Sequence, residues 1–123
     1  MQGKKVMVID DEPAIHKLLQ TILEHEGFQI MGLEERKDAR ETVSRRRPDV
    51  IILDIMMPEV DGFQILKMLK EDEETREIPV LVLTVRSLRE DRERAMALGA
   101  DHYMTKPFQP SELVEAVRSL AGG

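Results

Sequence analysis

The chain lacks cysteine and tryptophan, and carries only three phenylalanines and one tyrosine. Without cysteine there is no disulfide, no thiolate nucleophile and no thiolate-bound zinc. No apolar run approaches the roughly 20 residues that a membrane-spanning helix needs. The apolar run after Lys4-Lys5 stops at Asp10, which is too short for a signal peptide. These absences predict a cytoplasmic protein with no membrane contact. Basic charge is in the minority, with 18 Lys and Arg against 24 Asp and Glu. A net charge of −6 argues against direct nucleic-acid binding by this domain. The one basic cluster, Arg45-Arg46-Arg47, reads as a solvated helix end, where the macrodipole favours arginine. His16, His25 and His102 show neither a His-x-x-x-His nor a Glu-x-x-His spacing. They read as structural or solvated residues.

A length of 123 residues, 41% hydrophobic and 34% charged, suits one soluble globular domain over 1–123. Repeats, linkers and low-complexity segments are absent. The chain is organised around Pro48-Asp49-Val50-Ile51-Ile52-Leu53-Asp54. Its apolar, mostly β-branched run has no polar alternation, as in a strand buried on both faces of a parallel sheet. Asp54 stands where that run stops. Open α/β sheets place their ligands at the carboxyl ends of such strands.

The remaining segments alternate. Lys5–Ile9 reads as a strand ending in Asp10-Asp11. Pro13 opens a helix whose face is Ile15, Leu18, Leu19, Ile22 and Leu23, with Gly27 after its end. Phe28–Leu33 is a second strand and roughly Lys37–Arg46 a second helix. Asp61 caps a third helix, with Gln64 three residues on. Ile78–Thr84 is the fourth strand. Ser87-Leu88-Arg89-Glu90 reads as a capping box opening a fourth helix that stops at Gly99. Ala100–Thr105 is the fifth strand, and Pro110 starts the last helix. The order βαβαβαβαβα implies a parallel sheet with right-handed crossovers and helices on both faces.

In parallel strands the carboxyl ends share one edge. Asp10, Asp11, Asp54, Thr84 and Lys106 therefore converge on one crevice. Carboxylates about 4 Å apart repel by about 4 kcal/mol per pair at an effective dielectric near 20. Protonation, a cation or a metal must offset that. An oxygen-only donor set suits Mg²⁺ or Mn²⁺. Lys106 adds a compact positive charge and Thr84 a hydroxyl donor. A carboxylate nucleophile with these neighbours describes phosphoryl transfer onto an aspartate. Asp54 is the natural acceptor, since it stands on the central strand while Asp10 and Asp11 can share a metal.

These residues resemble the receiver domain of bacterial two-component response regulators, of the kind found in chemotaxis regulators. The resemblance spans nearly the whole chain. It rests on Val8-Ile9-Asp10-Asp11-Glu12-Pro13, Leu53-Asp54-Ile55-Met56-Met57-Pro58, Asp61-Gly62, Thr84, Gly99-Ala100-Asp101 and Lys106-Pro107-Phe108, in that order. It implies a flavodoxin-like (βα)5 fold, doubly wound, with a five-stranded parallel sheet in the order 2-1-3-4-5. It implies Asp54 as phosphoacceptor, with Mg²⁺ held by Asp10, Asp11, Asp54 and the backbone carbonyl of Met56. Thr84 and Lys106 would bind the phosphoryl group, and Lys106-Pro107 would be a cis peptide. Thr84 and Tyr103 would act as switch residues, the ring turning inward as Thr84 moves. The output face would be the fourth helix, fifth strand and fifth helix. The implied partners are a sensor histidine kinase or phosphotransfer protein and a downstream effector, with homodimerisation on the output face also open.

Two positions depart from the family pattern. Val85 follows Thr84 where a small residue is usual, and Arg86 adds a cation expected at the crevice mouth. With Met56, they are expected to slow loss of the phosphoryl group. Three competing readings are weaker. A haloacid-dehalogenase-type phosphatase needs an acid two residues past the nucleophile, where Met56 stands. A flavodoxin-like carrier needs a phosphate loop where Asp10-Asp11-Glu12 would repel it. An interaction module that is never phosphorylated has no reason to keep all five site residues.

Overall fold

A computed structural model describes residues 3–32 and 39–122. Its strands are β1 (Lys5–Ile9), β2 (Gln29–Gly32), β3 (Val50–Leu53), β4 (Met56–Met57), β5 (Val60–Asp61), β6 (Val80–Thr84) and β7 (His102–Thr105). Its helices are α1 (Pro13–His25), α2 (Ala39–Arg46), α3 (Gly62–Glu71), α4 (Arg89–Ala97) and α5 (Pro110–Leu120). Five strands form one sheet in the order β2-β1-β3-β6-β7, and every pairing in it is parallel. This is the doubly wound order expected from the sequence. The second strand and second helix were expected to include Leu33, Lys37 and Asp38, which lie outside the described residues.

Alternation along each strand feeds two cores. Met7, Ile9, Ile51, Leu53, Val80 and Val82 pack on one face with residues of α2, α3 and α4. Val6, Val8, Val50, Ile52, Leu81 and Leu83 pack on the other with Leu19 and Leu23 of α1 and Leu113 and Val117 of α5. All four residues of β3 are buried, so the strand carrying Asp54 is clamped from both sides. Ile9 pairs with Leu53, and Asp54 N–H donates to the Ile9 carbonyl at 3.0 Å. That register sets Asp10 and Asp54 side by side on the carboxyl edge.

Three local features differ from the sequence expectation. First, α4 is capped at Leu88 and has no side-chain cap. The Leu88 carbonyl accepts from Asp91 N–H at 3.1 Å and Arg92 N–H at 3.2 Å, one residue later than the expected Ser87 box. Second, β7 begins at His102 and β6 at Val80, both shorter than expected at their amino ends. The Asp101 carboxylate instead accepts from Val80 N–H and Lys70 Nζ. Third, β4 and β5 form a small antiparallel hairpin. It turns at Pro58-Glu59, with Glu59 at φ 64. Proline sets φ for the first turn position, and the second then adopts the left-handed region.

The Asp61-Gly62 pair has a clear task. Asp61 accepts from Phe63 N–H at 2.9 Å and so caps α3. A Cβ on Gly62 would stand 2.2 Å from Ile55 Cα and 2.7 Å from the Asp54 carbonyl. Only glycine lets α3 start directly against the backbone that carries Asp54. Gly62→Ala is expected to lower unfolding stability by about 2 kcal/mol, as overpacking does. Urea unfolding checks it, and an unchanged midpoint would refute the close approach.

Candidate acidic site at the sheet edge

Asp54 directly follows β3 and is 3% exposed. Its Oδ1 accepts from Met56 N–H at 2.9 Å. Its Oδ2 accepts from Lys106 Nζ at 3.1 Å. Lys106 follows β7, where its N–H donates to the Thr84 carbonyl at 2.8 Å. The ammonium also donates to Asp10 Oδ2 at 2.9 Å and to Glu12 Oε1 at 3.3 Å. One lysine, its side chain only 7% exposed, thus serves three carboxylates. The Lys106-Pro107 peptide is cis.

Burial dominates the titration of Asp10 and raises its pKa, although the hydrogen bonds from Lys106 and Glu12 oppose that. Burial alone would lower the Lys106 pKa. The hydrogen bond to Asp10 and the charges of Asp54 and Asp10 outweigh it, so the ammonium is held above its ordinary value. Both partners of one ion pair therefore shift upward. The shifts are compatible, because desolvation favours the neutral acid while the surplus of carboxylates favours the charged amine.

Asp10, Glu12 and Asp54 place carboxylate oxygens within 4.8 Å of one another. Asp11, half-buried, is not one of the three. The sequence reading missed Glu12. Its signal was the two-residue alternation of an extended chain, which sets i and i+2 on one side. Glu12 is extended, at φ −93 and ψ 111, and its N–H donates to Asp10 Oδ1 at 2.9 Å. Against three carboxylates, one ammonium leaves the cradle negative. An all-oxygen, negatively charged cluster fits a hard divalent cation such as Mg²⁺.

Thr84 ends β6 and is fully buried. Its Oγ1 accepts from Arg86 N–H at 3.3 Å. Tyr103 on β7 is buried in the core, and its hydroxyl donates to the Arg86 carbonyl at 2.7 Å. Desolvation first, and the Asp91 charge second, raise the Tyr103 pKa. Val85 and Met56 are about half exposed, at 54% and 50%. Arg86, expected as a cation at the crevice mouth, has its guanidinium against Asp91 of α4, Nε to Oδ2 at 3.2 Å.

Comparison with known proteins agrees with this geometry. The response regulator receiver domain model matches residues 6–118. The phosphate regulon transcriptional regulatory protein PhoB of Escherichia coli K12 is 40% identical over 118 residues, covering 96% of this chain and 52% of that protein. The chain thus spans about half the length of the curated relatives it matches. The signal receiver domain of a Syntrophus aciditrophicus histidine kinase is 35% identical, with a TM-score of 0.87 over 98% of this chain and 92% of that one. The receiver domain of the Pseudomonas aeruginosa sensor histidine kinase PA1611, crystallised with magnesium in its active-site cleft, is 26% identical. Its TM-score is 0.87 over 98% of this chain and 99% of that one. The curated relatives PhoB of Escherichia coli and PhoP of Bacillus subtilis are named as transcriptional regulatory proteins, and the Vibrio cholerae chemotaxis protein CheY4 is 27% identical, with a TM-score of 0.87 over 96% of this chain and 98% of that one. Among the described residues no helix is long and apolar enough to cross a membrane. The fold, the acidic pocket with its lysine and the family match coincide, and the chain belongs to the response regulator receiver domains, the phosphoacceptor switches of two-component signalling.

Proposed function

We propose that Asp54 accepts a phosphoryl group from a phosphohistidine of a partner histidine kinase or phosphotransfer protein, in a step that needs Mg²⁺. The observation that carries this is Lys106, which reaches both Asp10 and the nearly buried Asp54 at one end of the sheet. An Asp54 oxygen attacks phosphorus, the phosphorus–nitrogen bond breaks, and the leaving imidazole nitrogen takes up a proton. Met56 N–H holds Oδ1 and fixes the carboxylate plane. The Lys106 ammonium, already at Oδ2, stays beside the oxygens as negative charge builds on them. Thr84 offers its hydroxyl to a phosphoryl oxygen.

Asp10, Asp11, Asp54 and the Met56 carbonyl would hold the cation, with Glu12 in the same cluster. When bound, Mg²⁺ supplies neutralising charge to the phosphoryl oxygens. Thr84 and Tyr103 then bias the surface made by α4, β7 and α5 toward its active arrangement. A downstream effector domain or protein in the cytoplasm receives the signal, and all of 1–123 acts as one receiver domain. No external substrate is turned over.

Incubation with Mg²⁺ and acetyl phosphate, followed by intact mass, tests the reading. One added phosphoryl group that disappears with EDTA supports it. No gain from this donor or from phosphorylated histidine kinases would overturn it. Val85 and Met56 screen the site from an in-line water. Val85→Ala is therefore expected to lose the phosphoryl group severalfold faster. Decay at the wild-type rate would remove the steric role.

A further inference from the structure

Arg86 joins three parts of the molecule that lie outside the acidic cluster. Its N–H donates to the Thr84 hydroxyl, at 3.3 Å. Its carbonyl accepts from the Tyr103 hydroxyl, at 2.7 Å. Its guanidinium lies against Asp91, in the first turn of α4. Asp91 is 9% exposed, unusual for a carboxylate on so charged a helix. Arg86 Nε and Asp91 Oδ2 are both out of solvent, and neither has a hydrogen-bond partner. They are 3.2 Å apart, so the N–H is not aimed at the oxygen and the pair is held by charge. Among the described residues each is the only salt-bridge partner of the other, and loss of Arg86 would leave the nearly buried Asp91 carboxylate unpaired.

Little else draws α4 inward. Asp91 and Ala95 are its only buried residues. Farther along, Arg94 lies 4.0 Å over the Phe63 ring. The amino end of the helix is therefore fastened through Asp91 rather than through an apolar stripe.

We propose that Asp91 is a positioning residue for the phosphoryl site. By holding the Arg86 side chain on α4, it fixes the Arg86 peptide groups, and these hold the Thr84 hydroxyl and the Tyr103 ring. Site and helix then move as one unit through a single residue. The consequence for signalling rests on the roles proposed above for Thr84 and Tyr103, while the tether itself does not.

Tyr103 is the only tyrosine, and there is no tryptophan, so intrinsic fluorescence above the phenylalanine band reports this ring alone. Acrylamide quenching is measured on the full chain, on Asp91→Asn, on Arg86→Met and on the double variant. Far-UV circular dichroism and urea unfolding serve as fold controls. Each single variant is expected to raise the quenching constant about twofold, and the double variant to add nothing more, since both remove one tether. A simple helix anchor would lower stability without exposing the ring. Unchanged quenching in the single variants, or additive increases in the double variant, would overturn the proposal. If Asp91→Asn does not fold, Arg86→Met decides alone by the same criterion. Phosphoryl uptake is followed separately on the wild type. Its failure would count against the proposed function, while the quenching comparison would still decide the tether.

Discussion

Lys106→Met is expected to destabilise the fold by about 3 kcal/mol in metal-free buffer and to slow phosphoryl uptake about a hundredfold. Among the described residues the ammonium is the one cation in contact with Asp10, Glu12 and Asp54. Asp10 and Asp54 have side chains only 4% and 3% exposed, so solvent screens their mutual repulsion poorly. Methionine keeps most of the length of the side chain and removes the charge. Millimolar Mg²⁺ should restore more stability to this variant than to the wild type, because a cation that binds the folded cluster stabilises it by linkage. Urea titrations with and without Mg²⁺ check the stability, and time-resolved intact mass checks the rate. A variant as stable as wild type and indifferent to Mg²⁺ would show that the carboxylates do not share one electrostatic site.

The second large effect is at the acceptor. Asp54→Asn is expected to abolish phosphoryl gain while leaving a folded, cooperative protein. The amide is a poor nucleophile and cannot form the stable mixed anhydride that a carboxylate forms. It also presents an NH2 group where the carboxylate has a second oxygen. Either Met56 N–H or Lys106 Nζ, the two donors to the Asp54 carboxylate among the described residues, then loses its acceptor. That loss costs about 1–3 kcal/mol, and relief of repulsion with Asp10 and Glu12 offsets part of it. Stability should therefore move less than in Lys106→Met. Mg²⁺ affinity should fall, since one carboxylate of the cluster is gone. Residual uptake at the wild-type stoichiometry would place the acceptor elsewhere.

The convergence of Asp10, Asp54 and Lys106 was legible in the sequence because it follows from topology. Parallel strands expose their carboxyl ends on one edge, and apolar runs such as Val50–Leu53 mark where each strand ends. The order of elements then requires the sheet that Ile9–Leu53 and Leu53–Val82 pairing builds. Glu12 was less legible: two-residue alternation sets it beside Asp10 only if the chain stays extended after β1, as it does here. Whether it or Asp11 turns toward Lys106 depends on backbone angles between strand and helix, which composition does not encode. The start of α4 was misplaced by one residue for a related reason. Ser87 and Glu90 satisfy the capping-box spacing, but the structure places Asp91, one residue on, inward against Arg86. A local capping preference of about 1 kcal/mol gives way to pairing of a charge that is otherwise stranded. The β4–β5 hairpin is too short, at two residues a side, to leave any periodic signal. The pairing of Arg86 with Asp91 left no sequence signal, because the two stand on either side of the start of α4.

The most direct test of the account is to locate the phosphoryl group chemically. The chain is charged with acetyl phosphate and Mg²⁺, treated with borohydride, digested and mapped by mass. An acyl phosphate is reduced to the primary alcohol, so an aspartyl phosphate becomes homoserine. Homoserine at position 54 alone, and absent when Mg²⁺ is withheld, is the predicted result. Homoserine at position 10 or 11, or a phosphoryl group on His16, His25 or His102 that borohydride leaves untouched, would contradict Asp54 as the acceptor.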